Sequence, residues 1–445
     1  MKRSLIIMAL AVISLTVSAQ KKWTLKDCID YALQNNISLK QARLNKQSAT
    51  EERKLSQAAL LPSLTASTNQ SVGYRPWQSS GMTTVSNGTV NNKVTKTYYN
   101  GTYGINASWT VWNGNKNRNQ VKLSKVSEQQ AELSAEETSN NIQEEIAKLY
   151  VQILYLSETI DVNKQSLEAS KKNEERGRQM VEVGKMSKAD LAQLTAQRAN
   201  GEYDVVAAET QLADYKLRLK QLLEITDSED FGIADPKASD QQALAAIPSM
   251  TSVYEAAVAK RPEIKNAELS LQSSNLQLKI AKAGYMPTLS LTGGVGTSTS
   301  SNNTNDWDKQ IKTNFDASAG LGVSIPIYDQ RKAKTAVNKA KLQHEQALLD
   351  IQNEQKELYA TVEGFWLEAL SNQQKFRAAI SSVESQQESY DLLTEQFNLG
   401  LKNIVELMNG KTNLLKAQQN RLQSKYLTIL NQQLLRFYQG ETLNI

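Results

Sequence analysis

The sequence predicts an α+β membrane fold: long antiparallel α-helical hairpins joined to four membrane-spanning β-strands per chain, laid out as an internal two-fold repeat. Three observations predict it. Chain breakers are scarce, with seven prolines and twenty glycines in 445 residues, where average usage would give roughly 22 and 31. One half of the chain reappears in the other at a nearly constant offset. Between the breakers, hydrophobic periodicity switches from helical to two-residue alternation and back, twice.

In chain order, Lys2 and Arg3 precede an apolar run from Leu5 to Val17 and the small residues Val17-Ser18-Ala19, the layout of a secretory signal cleaved before Gln20. Residues 1–19 are therefore read as signal peptide. Cys28 follows Lys26-Asp27, so a lipid anchor is not indicated there, and a lone cysteine reads as a small buried hydrophobe. Beyond the signal no stretch approaches the ~18 apolar residues of a transmembrane helix, so any membrane span must be built from strands. A formal charge of +5 scattered along the chain has no basic stripe to track phosphates, which disfavours nucleic acid. One cysteine and one histidine, His344, exclude an internal disulfide and multi-His metal sites and disfavour a Ser-His-Asp triad. No catalytic, metal or cofactor site is expected.

The repeat is explicit. Residues 29–42 recur as 254–267, with Ala32 on Ala257 and Ala42 on Ala267; Pro62-Ser63-Leu64 recurs as Pro287-Thr288-Leu289. Trp109 to Gly114 lies on Ile325 to Gln330, and Val183-Gly184 on Leu399-Gly400, now displaced by 216 instead of 225. The halves are assigned as residues 20–224 and 251–445, with 225–250, containing Asp235-Pro236 and Ile247-Pro248, as a linker.

Each half opens with a helix, from Ile37 to Leu61 in the first, which Pro62 stops. Leu64, Ala66, Val72 and Tyr74 then share one parity. In the return strand Tyr99, Tyr103, Ile105, Ala107, Trp109 and Val111 alternate with polar residues, and the second half repeats this with Leu289, Leu291 and Val295 and with Phe315 through Ile327. Runs of this length suit a tilted membrane strand, though alternation also fits a soluble sheet with one wet face. Tyr74, Tyr98, Tyr99, Tyr103, Trp109, Trp112 and Tyr328 suit interfacial girdles as well as ordinary strand enrichment. Residues 75–98 and 300–313, rich in Ser, Thr, Asn and Gly, read as surface loops.

After each strand pair comes a long helix. From Asn115 to Glu182 there is no proline and one glycine, and a helix of that length spans about 100 Å. Ile142, Ile146, Leu149, Ile153, Leu156, Ile160 and Leu167 form a coiled-coil seam, repeated as Leu358, Val362, Phe365, Ala369, Asn372, Phe376 and Val383. Gly184 and Gly400 turn the chain into return helices, Ser187 to Leu223 and Asn403 to Phe437. His344, aligned with Glu128, is expected on a solvated helix face.

Four strands cannot close a sheet, and open edges are not tolerated in hydrocarbon. Two copies give eight strands, whose lumen side chains fill; three give a shared twelve-stranded barrel that can leave a channel. A homotrimer is the expected assembly.

This layout resembles the TolC-like outer membrane efflux proteins. The resemblance rests on Ala32-Leu33-Gln34-Asn35-Asn36-Ile37-Ser38-Leu39, the Leu-Pro-x-Leu switch at Leu61 to Leu64, the Ile-Pro-Ile-Tyr-Asp exit at Ile325 to Asp329 and the Phe-x-x-Gly turn at Phe397 to Gly400. It implies the exit duct of a tripartite efflux or type I secretion system, in the outer membrane of a Gram-negative bacterium and reaching into the periplasm. Its partners would be outer membrane lipid, a membrane-fusion adaptor and an inner-membrane pump, and docking would open the hairpin tips like an iris. By resemblance Glu406 takes the place of the first constriction acid, Asn409 that of the second, Lys402 that of the basic residue and Asp190 that of its acidic partner. Asn409 carries no charge and Phe397 lacks the frequent tyrosine hydroxyl, so the latch network is expected to be thinner. Ser187 to Asp190 and Asn403 to Glu406 also read as capping boxes, so these acids are candidates for capping as well as gating. The competing class is a periplasmic coiled-coil adaptor or structural binding protein, disfavoured by two equivalent hairpins without a β-rich tail. An exported hydrolase lacks a nucleophile or metal constellation.

Overall fold

The computed structural model of the protein describes residues 22–77, 80–85, 88–93, 96–226, 231–234, 239–303 and 305–444. The predicted signal peptide, residues 1–19, lies outside the described residues, as does Pro236. In chain order the elements are α1 (Leu25–Asn35), α2 (Ile37–Ala58), β1 (Ser63–Tyr74), β2 (Ser80–Val85), β3 (Gly88–Lys93), β4 (Thr97–Trp112), α3 (Lys116–Glu182), α4 (Lys188–Leu222), α5 (Asp240–Ala243), α6 (Met250–Lys260), α7 (Pro262–Lys282), β5 (Thr288–Ser300), α8 (Trp307–Thr313), β6 (Asp316–Ser324), α9 (Lys332–Asn398) and α10 (Ile404–Tyr438). The equivalent helices match in length: α3 and α9 each have 67 residues, α4 and α10 each 35. Among the described residues no helix is long and apolar enough to cross a membrane.

The described residues form two compact units that cut across the repeat, one drawn from 22–44, 133–266 and 351–444, the other from 45–132 and 267–350. The second unit holds an antiparallel sheet ordered β1-β4-β5-β6, in which β4 and β5 join the two halves of the sequence through pairs such as Ile105 with Val295. Register places Leu64, Ala66, Ile105, Ala107, Leu291, Val295, Ala319 and Leu321 on one face, and Thr65, Ser67, Asn106 and Ser108 on the other. The apolar face is open: Leu64, Leu321 and Ile105 are all exposed. Among the described residues the outer strands β1 and β6 each pair on one side only.

Four expectations change here. Residues 80–85 and 88–93 are not plain loop but two antiparallel strands, β2 and β3, paired from Ser80 with Lys93 to Val85 with Gly88. Residues 300–313 contain α8, too short to display a period. Alternation runs on to Ile327, but β6 ends at Ser324, because Pro326 offers the ladder no N–H. His344 is half-buried, its Nδ1 3.1 Å from the Ser274 hydroxyl, rather than solvated.

The first unit is an all-helical core. Every residue of the first predicted seam is buried, Ile146 completely. The second seam is buried at Leu358, Val362, Ala369, Asn372 and Phe376 and half-buried at Phe365 and Val383. Cys28 and its repeat partner Val253 are both fully buried, and burial raises the Cys28 thiol to about 12. The residue is a packing group. The repeat also sets the helix breaks. Asn36, between α1 and α2, accepts from the Leu39 N–H and donates to the Leu222 carbonyl. Its counterpart Arg261, between α6 and α7, stacks over the ring of Tyr438, the counterpart of Leu222, with 4.2 Å to the ring centroid. The linker is packed, since Gln373 Nε2 donates to the Ala243 and Ala245 carbonyls and Arg421 pairs with Asp240 at 2.6 Å.

Candidate functional site at the hairpin tips

Both long helices end in the same device. At Gly184, with φ of +71°, the Lys185 N–H reaches the Met180 carbonyl and the Gly184 N–H reaches Val181. At Gly400, with φ of +77°, Leu401 reaches Gln396 and Gly400 reaches Phe397. These are Schellman closures, which need the left-handed conformation that glycine adopts without steric cost.

The return helices start on side-chain caps. The Asn403 side chain accepts from the Glu406 N–H at 2.9 Å, and Glu406 Oε2 accepts from the Asn403 N–H at 3.3 Å, a full capping box. Glu406 Oε1 also accepts from Lys402 Nζ at 2.7 Å. The Lys402 ammonium and then the Asn403 N–H hold the Glu406 carboxyl below its ordinary range. On the first hairpin the Ser187 hydroxyl accepts from the Asp190 N–H and donates to Asp190 Oδ2 at 2.8 Å. Within one chain, then, Lys402 goes to Glu406 while Asp190 goes to its own cap, and Asn409 is exposed.

Phe397 closes the apolar cluster behind the tips, buried with Leu194, Ile404 and Leu407 against Met186, Tyr390, Leu393 and Met408. A phenyl ring without a hydroxyl suits that surrounding. Two glycines let the arms of each hairpin approach: a Cβ on Gly177 would meet Leu194 Cδ1 at 2.5 Å, and one on Gly410 would meet Leu393 Cδ1 at 2.6 Å.

Sequence reasoning missed the groups joining one hairpin to the other. Along α3 and α10 run Glu144 with the Tyr438 hydroxyl, Glu158 with Lys425 and the Tyr426 hydroxyl, and Asn163 with Gln419. Closer to the tips, the Lys411 ammonium donates to the Ser166 carbonyl at 2.5 Å and to the Ser170 hydroxyl. It is 6% exposed, and desolvation pulls it down to about 8. Arg176 reaches Asn398 at 2.5 Å. The repeat could have signalled Lys411, which stands where the first half has Thr195.

A strand pair with one apolar face, followed by a long hairpin and then repeated, is the layout of a channel-forming outer membrane chain. The chain belongs to the outer membrane efflux protein family, whose profile matches residues 28–224 and 253–441. It is 22% identical over 415 residues to the outer membrane efflux protein BepC of Brucella suis biovar 1 (strain 1330), covering 93% of this chain and 84% of BepC. To the outer membrane protein TolC of Escherichia coli (strain K12) it is 23% identical over 294 residues, 64% of this chain and 58% of TolC. Its fold is similar to that of CusC, with a TM-score of 0.80 at 18% identity over 93% of this chain and 91% of that one. It is also similar to VceC from Vibrio cholerae, with a TM-score of 0.77 at 16% identity over 94% and 97%. The protein is thus an outer membrane efflux channel.

Proposed function

We propose that three copies assemble into a passive exit duct, a conduit without catalytic chemistry or cofactor, which a membrane-fusion adaptor and an inner-membrane pump open at the hairpin tips in an efflux or type I secretion system. The observation that carries this reading is the pair of unpaired sheet edges, β1 and β6, since a spanning sheet must close and three copies supply twelve strands. Apolar residues left open on the hairpins, Tyr203 and Val206 on α4 and Leu367 and Leu392 on α9, suit the same assembly. Mass measurement after detergent extraction, followed by planar-bilayer conductance, tests it; a monomer that passes no current would sink it. In this reading residues 1–19 are the export signal, 20–224 and 251–445 the two repeats, and the recovered protein begins at Gln20.

The gate is assigned to Glu406, Asn409 and Lys402, with Asp190 on the first hairpin and Gly184 and Gly400 as the pivots. Three Glu406 carboxylates around a narrow mouth favour cations, while each Lys402 offsets part of that charge. Glu406→Gln keeps a capping side chain and removes the charge. The cation-to-anion permeability ratio is expected to fall; an unchanged ratio would leave Glu406 as a cap only.

A further inference from the structure

The connection between β5 and β6 carries a helix that the duct reading leaves without a role. α8 is fastened to β5: Thr297 Oγ1 donates to the Ile311 carbonyl at 2.9 Å, Asn314 Nδ2 donates to the Ser298 carbonyl at 2.6 Å, and Gln310 Oε1 accepts from the Ser300 N–H at 2.7 Å. Gln310 of α8 and Thr299 of β5 are buried where the two meet, and the Trp307 ring stands edge-on to Tyr103, centroids 6.5 Å apart.

The side on which it lies is informative. Tyr103 and Thr297 are register partners on the face that carries Ile105, Val295 and Leu291, so α8 rests on the apolar face of the sheet. Its height is informative as well. Trp112, paired with Leu289, marks the end of the strands from which the long helices leave, and eight residues of β5 separate Leu289 from Thr297. At about 3.4 Å per residue and a tilt of about 40°, they rise about 21 Å, close to the ~25 Å apolar band of an outer membrane barrel. At the level of Tyr103 that face passes from Ile105, Ala107 and Leu64 to a polar step of Thr68 and Gln70, whose Oε1 accepts from the Tyr99 hydroxyl, before Val72 and Tyr74 at the end of β1. There Trp307 is left 57% exposed and Phe315 62%, and Lys309 and Lys312 are exposed. An amphipathic aromatic ring at the boundary between apolar and polar surface is the arrangement that headgroups favour.

We propose that α8 is a membrane-surface foot: it lies on the outer face of the barrel at the cell-exterior rim, with Trp307 in the headgroup region of the outer leaflet, and its partner is the lipid surface. The inference rests on the sheet being the membrane-spanning part, with which its contact surface is continuous. The test uses the full chain reconstituted in bilayers, comparing wild type with Trp307→Phe. The emission lost in the variant should be the part quenched by lipids brominated high on the acyl chain, less by lipids brominated near its end, and shielded from aqueous iodide. Quenching by iodide without quenching by shallow bromine overturns the proposal. Trp112→Phe separates the two readings: a lipid-quenched Trp112 with a water-exposed Trp307 removes the foot alone, whereas neither tryptophan responding to any brominated lipid removes the spanning sheet and the foot with it. A nitroxide on Lys309→Cys in a Cys28→Ser background reads the same depth with Trp307 intact, and collision only with water-soluble reagents would again overturn the foot.

Discussion

The return helix of the first hairpin, α4, buries four residues; its equivalent in the second, α10, buries seventeen. The arms are equal in length and turn at equivalent glycines, so the difference lies in what surrounds them. Within one chain α10 has α3 beside it and the linker helix α5 against it, while α4 leaves Tyr203 and Val206 open. Side chains follow that difference. At one pair of equivalent positions Lys164 meets Glu209 at the surface, 2.7 Å apart, whereas the second hairpin has Ile380 and Lys425, and Lys425 turns instead to a largely buried Glu158 on α3. Near the tips the roles exchange outright. Gly177 on α3 receives Leu194 of α4, and at the equivalent positions Leu393 of α9 fills the gap over Gly410 of α10. The repeat conserves the fit of knob and hole, not which helix carries the knob.

The comparison can be broken at several points. Lys425→Met strips the largely buried Glu158 of its counter-ion, leaving it the Tyr426 hydroxyl, and should cost the most, about 3 kcal/mol in denaturant unfolding of the detergent-solubilised protein; a cost no larger than that of its surface counterpart would remove the distinction between the hairpins. Gly177→Leu should cost about 1–2 kcal/mol by overpacking against Leu194. Adding Leu194→Gly, which installs the second hairpin's arrangement in the first, should recover most of it, and additive costs in a double-mutant cycle would deny the exchange.

Lys411→Met should raise stability near pH 7 by about 1 kcal/mol, since it replaces a desolvated cation that has only neutral acceptors. The sign is testable by pH. The Lys411 ammonium titrates near 8 when folded against an ordinary 10.5, so between those values the unfolded chain holds a proton that the folded chain has released. Stability from this group is fully present above about 10.5 and lost as pH falls to about 8, so the advantage of the variant over wild type should shrink as pH rises through that window. The smallest effect belongs to Glu209→Gln, a few tenths of a kcal/mol for an exposed pair, and a loss above 1 kcal/mol would show that the first hairpin leans on charge more than its exposure implies.

Much of this was legible because helices and strands this long are specified locally. Pro62 and Pro287 mark the helix-to-strand exchange, Gly184 and Gly400 the turns, and the Ile142 to Leu167 seam the buried stripe. Ser187 and Asn403 were readable as caps from their spacing to Asp190 and Glu406. The partners of those acids were less legible. Lys402 was assigned to Asp190 by resemblance, yet within the chain it stands one turn from Glu406 and pairs there. Lys411 was invisible because its environment comes from α3, 241 residues away in sequence.

By itself the sequence determined the elements, their order and their duplication, since periodicity, breakers and capping residues act within a few positions of one another. Tertiary structure alone decided which equivalent positions stay equivalent. Glu209 and Lys425 share a place in the repeat, but one faces solvent and the other faces α3. Desolvation, which depends on the neighbours that folding supplies, sets what each charge costs.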